Sequence, residues 1–140
     1  MAGKERAYLY SFAELIDSLS INQIKEVLLP EDRESFSKLI ELISKDIDTI
    51  IVEKGLVLSS RLVRLIIAIS QINLHIWHSK DKMQSSPGDY LSLLKLSHQL
   101  NGIRNQMKNI LLEETGDKDK SAKRTNFNTD NLEGWNISIK

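Results

Sequence analysis

Between Tyr90 and Glu113, the residues Leu93, Leu96, Leu100, Ile103, Met107 and Ile110 recur at alternating three- and four-residue steps. A helix with about 3.6 residues per turn brings such residues onto one line, and no strand does. An apolar line at strict three-four spacing is the seam of a helix packed in a bundle. The stretch therefore commits the chain to a helical bundle, and its neighbours agree. From Glu31 to Lys54 the line is Phe36, Ile40, Ile43, Ile47 and Ile50, with Glu31, Asp32 and Glu34 suited to the N-terminal dipole. From Ser59 or Ser60 to about Met83 it is Leu62, Ile66, Ile69, Ile76 and Met83, with Asn73 inside the line.

The boundaries follow from local chemistry. Pro30 and Pro87 each sit where a helical pattern breaks. Gly55 is suited to a left-handed helix stop. The run Ser85–Asp89 reads as a turn with a cap, and Gly102 allows a neighbouring helix to come close. Ser11 with Glu14 and Ser20 with Gln23 each match the capping-box pattern. This double signal predicts two short N-terminal helices, near Phe12–Ser18 and Ile21–Leu29, joined by a bend.

The expected architecture is all-α: a bundle built on two or three long antiparallel helices, two short N-terminal helices and a polar C-terminal tail. The bundle domain spans 1–116 and the tail 117–140. In the tail, Asp117 to Asp130 holds few apolar residues and reads as mobile or draped. Beyond it Trp135, Ile137 and Ile139 alternate with polar residues, a pattern able to dock as a short strand beside Ala7–Tyr10. At 140 residues, 41% hydrophobic and 27% charged, the composition is that of one soluble domain. Nineteen basic residues balance nineteen acidic ones, so no global field draws the chain to nucleic acid or anionic lipid. The absence of cysteine excludes disulfides and thiolate chemistry and fits a reducing compartment. Met1–Arg6 lacks the apolar core of a signal peptide. The run Leu62–Ile69, interrupted by Arg64, is too short to span a bilayer. A cytoplasmic protein is expected, with no membrane partner.

Two polar lines ride on these apolar helices. Asn73, Trp77 and Asp81 recur every fourth residue, and Asn101, Arg104 and Lys108 recur at three-and-four spacing. Polar groups beside a core cost a few kcal/mol, roughly, unless paired, so both lines need partners. Across an antiparallel hairpin Asn73 falls near Leu100 and Asn101, so the two amides are expected to bond. Arg104 and Lys108 need carboxylates, and Glu14 and Asp17 are the obvious donors of negative charge. On that reading, removing Arg104 strands a buried carboxylate at a cost of about 3–5 kcal/mol. The functional version holds an anionic ligand on Asn101, Arg104 and Lys108.

Other chemistry is weaker. His75, His78 and Asp81 are spread over roughly 120° of a helix, so a metal site there needs a third ligand from elsewhere, and the nearest candidate, His98, lies on another helix; two amphipathic histidines flanking an interface are the plainer reading. No metal or cofactor is expected. The six glycines are scattered, giving no phosphate loop, and no serine nucleophile is accompanied by a histidine. No catalytic residue is assigned, and Glu14 with Asp17 reads as a capping pair before an acid–base pair. Lys118, Lys120, Lys123 and Arg124 are diluted by Asp117 and Asp119 and lack an aromatic platform before Phe127, which argues against nucleic-acid binding.

Taken in order, Glu14-Leu-Ile-Asp17, Ser20-Ile-Asn-Gln-Ile-Lys25, Ile72-Asn73 with Ile76-Trp77 and Asp81, and Leu100-Asn101 with Arg104 and Lys108 resemble a known pattern. It is that of a group of uncharacterised small bacterial helical domains. These occur alone or beside sugar-transferase and surface-polysaccharide proteins. The similarity runs from about Phe12 to Leu112 through short motifs, and departs at Lys80, where an acidic residue is expected before Asp81. The resemblance implies the architecture and a link to glycan metabolism, but no activity. The expected function is a non-enzymatic helical interaction or accessory module. Its partners are a second copy, through the nearly all-round apolar Leu62–Ile69, and other proteins. The alternative is a binder of anionic small molecules or sugar nucleotides, or an enzyme of glycan metabolism. Its site would lie between the N-terminal helices and the Asn101–Lys108 line.

Overall fold

The computed structural model describes residues Tyr10–Gly116, which form four α-helices and no strand. Helix α1 is Phe12–Leu28, α2 is Arg33–Lys54, α3 is Ser60–Ser85 and α4 is Tyr90–Glu114. Short 3-10 turns at Pro30–Asp32 and Pro87–Asp89 precede α2 and α4. The chain is all-α over these residues. The expected tail 117–140, and the strand pairing of Trp135–Ile139 with Ala7–Tyr10, lie outside the described residues except for Tyr10, which is in no strand.

The two short N-terminal helices expected from the capping boxes are instead a single helix, α1. Ser11 caps it as read, its Oγ accepting from the Glu14 amide at 3.1 Å. Ser20 does not start a second helix. It lies inside α1, buried, and its hydroxyl accepts a hydrogen bond from Asn73 instead. A serine whose side chain finds a tertiary partner no longer competes for the local backbone, so the helix runs through it.

Elsewhere the punctuation acts as read, with small shifts. Ser59 caps α3 through the Leu62 amide, and Gly55 ends α2 at a φ of 60°, a conformation glycine adopts without penalty. Pro30 displaces the start of α2 from Glu31 to Arg33 by imposing the 3-10 turn. Asp89 precedes α4 but makes no side-chain cap bond.

α1 is the middle element, packing on α2 and also on α3 and α4. Its composition suits that place. Phe12, Ala13, Leu15, Ile16 and Asp17 are all buried, which at about 3.6 residues per turn closes off more than half the helix circumference. The core joins these to Ile43 and Ile50 of α2, Leu62, Leu65, Ile69, Ile72 and Ile76 of α3, and Leu100, Ile103, Met107 and Leu111 of α4. The run Leu62–Ile69 is less enclosed than its composition suggests. Leu62, Leu65, Ala68 and Ile69 are buried, while Ile67 is 49% exposed. Arg61 at the start of α3 pairs with Glu114 at the end of α4 at 2.7 Å. No helix among the described residues is long and apolar enough to cross a membrane.

Candidate functional site

The capped start of α1 sets Glu14, Asp17 and Ser20 at successive three-residue steps, so all three lie along one side of the helix. Asn73 stands midway along α3, and Arg104 and Lys108 stand one turn apart on α4. The packing of α1 on α3 and α4 brings the six together.

Lys108 is 1% exposed, among the most deeply buried side chains in the structure. An ammonium taken out of water is stable only if charge and hydrogen bonds replace its hydration. Its Nζ donates to Glu14 Oε2 and to Asp17 Oδ2, each at 3.0 Å. Asp17 in turn uses both oxygens, since Oδ1 accepts from Asn73 Nδ2 at 2.8 Å. Asn73 Nδ2 also reaches Ser20 Oγ at 3.3 Å, and its Oδ1 accepts from Arg104 Nη1 at 3.0 Å. The Asn73 amide is thus oriented by a carboxylate on its nitrogen side and a guanidinium on its oxygen side. Two acids and two bases make the set formally neutral.

Chemically, the arrangement ties α1 to α3 and α4. Asp17 is committed through both oxygens and is buried, which leaves it poorly placed for acid–base work on a substrate. Glu14 is the outermost acid, its side chain 32% exposed, with one oxygen on Lys108.

Of the eight residues singled out in sequence, Glu14, Asp17, Asn73, Arg104 and Lys108 meet, and Asn101, Trp77 and Asp81 do not join them. Asn101 is half-buried and makes no hydrogen bond to Asn73, whose amide is already occupied by Asp17, Ser20 and Arg104. Trp77 is half-buried and Asp81 is exposed, because a strict four-residue step turns steadily off the buried face. A second correction concerns Arg104. It pairs with the Asn73 amide and with neither carboxylate, because Lys108 takes both. His75, His78 and His98 are all exposed. Among the described residues, no group of three or more His, Cys, Asp or Glu side chains is placed to hold a metal ion.

Ser20, Asp46, Ser79, Ser97, Gln99 and Thr115 are buried polar residues that were not read as such from the sequence. Ser20 belongs to the network, and its place three residues after Asp17 was the available signal, obscured by its match to a capping box. Asp46, 2% exposed on α2, sits between Ile43 and Ile50 in that helix's apolar seam.

The changed pairing changes what Arg104→Ala does. It removes one charge-assisted bond to a buried amide oxygen, and with it a buried Nε–H that makes no hydrogen bond. The two effects oppose each other. Urea denaturation is expected to show a loss of about 1–2 kcal/mol, below the range for a stranded buried charge. A loss above that range would mean that Arg104 supports a carboxylate after all. No family model, curated protein or solved structure matches the chain.

Proposed function

We propose that this protein is a non-enzymatic helical interaction or accessory module that self-associates. In this reading α3 and α4 form an antiparallel hairpin, and α1 is cross-tied to it by the buried ionic network. As α3 advances from Arg61 to Asn73, its partners on α4 retreat from Glu114 to Arg104, as an antiparallel pair requires. The observation that carries the functional reading is the closure of the network. The Lys108 ammonium is engaged by Glu14 and Asp17, and the Asn73 amide by Asp17, Ser20 and Arg104. Side chains satisfied by one another inside a fold stabilise and orient helices, whereas a binding site holds groups ready for a ligand.

A second reading, an anion-binding site, draws on Arg104. Its Nη1 is engaged, but its Nε–H is buried without an acceptor. Thermal unfolding of the full chain separates the two. Inorganic phosphate, a sugar nucleotide and a divalent cation, each at millimolar concentration, are expected to leave Tm unchanged. Any ligand of the folded state raises stability by RT ln(1 + [L]/Kd). A rise in Tm present in the parent and absent in Arg104→Ala would overturn the module reading in favour of the second.

A further inference from the structure

The outward side of α3 carries a stripe that is complementary to itself. Opposite the buried face of Leu65, Ile69, Ile72 and Ile76, it reads Arg64, Ile67, Gln71, Leu74, His78 and Asp81, all exposed. Ile67 is 49% and Leu74 40% exposed. The steps along it are three, four, three, four and three residues, a spacing that keeps the stripe on one face and reads the same from either end. Arg64 at one end and Asp81 at the other make no ion pair among the described residues.

Resting on the self-association proposed above, we infer that this stripe is the docking surface for a second copy of the chain, with the two α3 helices antiparallel about a two-fold axis. A two-fold axis between Ile72 and Asn73 sets Arg64 against Asp81 of the second copy, Ile67 against its His78, and Gln71 against its Leu74. Each contact occurs twice, as an isologous interface requires. At about 1.5 Å rise per residue, the two Leu74 side chains stand about 4.5 Å apart along the axis and cover one another. A parallel pairing would set Arg64 on Arg64 and Asp81 on Asp81, so charge selects the antiparallel register. Single exposed leucines and isoleucines are ordinary. What distinguishes these is their place between two unpaired, opposite charges at matched distances from one centre.

The dimer Kd of the full chain is measured by light scattering on dilution for the parent, Arg64→Asp, Asp81→Arg and the double variant. Both substitutions are at exposed positions, so folding is retained. Each single variant puts like charges at both ends of the interface and is expected to raise Kd about tenfold or more. The double variant restores opposite charges and is expected to return Kd close to the parent value. Because the chain has no cysteine, register is read separately with Ile67→Cys and His78→Cys. Mixed and oxidised, they are expected to cross-link with each other. Ile67→Cys alone is not, its two copies being about 16 Å apart along the axis. A dimer indifferent to all three charge variants, or cross-linking of Ile67→Cys alone as readily as the mixture, would overturn the stripe and leave self-association standing. A monomer at high micromolar concentration would overturn both.

Discussion

Lys108→Ala is expected to lose about 3–5 kcal/mol of folding stability, because it breaks a buried ion pair by removing one partner. The substitution leaves Asp17, a buried carboxylate, facing the space where its counter-charge stood, beside Glu14 with the same sign. Asn73 still donates to Asp17, but one amide bond does not replace an ammonium. The loss is a large fraction of the stability of a small domain. Urea denaturation measures it, and a loss under about 1 kcal/mol would mean that the network is wetter and more weakly held than its burial implies. A companion variant tests whether charge or volume is responsible. Replacing Lys108, Asp17 and Glu14 together by apolar residues of similar size removes the ions without stranding any, and is expected to recover most of the loss.

For folding, the network is expected to act more through specificity than through net stabilisation. Desolvating an ammonium and two carboxylates offsets most of what their attraction returns. Yet a packing that slides α1 along α4 by one turn, about 5.4 Å, takes Lys108 out of its place between Glu14 and Asp17, and in one direction sets Arg104 there while Asn73 loses its guanidinium. The apolar seams, which repeat, cannot distinguish such registers so sharply.

That same distance marks how far the sequence could be read. Apolar spacing identified the seams, and Ile43, Ile50, Leu62, Ile69, Ile76, Leu100, Ile103 and Met107 are buried as the periodicity requires. Ser11, Ser59 and Gly55 mark helix ends because their chemistry is local. The polar partnerships were legible only in part. Arg104 and Lys108 lie on one line, both basic, one turn apart, and either could reach Glu14 and Asp17. Which does so is set by how far α4 slides along α1, a tertiary quantity absent from any local pattern. The expected Asn73–Asn101 bond missed by a similar step, since Arg104, one turn further along α4, takes the Asn73 amide oxygen instead. Ser20 failed for the opposite reason. Its local signal was sound for a cap, and a buried amide from α3 outbid it.

Leu15→Ala is expected to lose about 2–5 kcal/mol, the range for emptying a leucine site in a closed core. Leu15 is 0% exposed and lies on α1, the helix that packs on α2 and also on α3 and α4. A cavity there has walls from the middle element of the fold, where collapse of one neighbour pulls against another, so little of the lost contact is recovered. Leu39→Ala on α2 is the matched control. Leu39 is 36% exposed, so the same truncation leaves a dent open to water and is expected to cost under about 1 kcal/mol. Both are measured by urea denaturation, with the slope compared alongside the midpoint. Because α1 links α2 to the other helices, Leu15→Ala should lower the midpoint of one transition without splitting it. Equal losses for the two variants, or a first transition in which α2 leaves α1 by itself, would show that α1 does not hold the four helices as one unit.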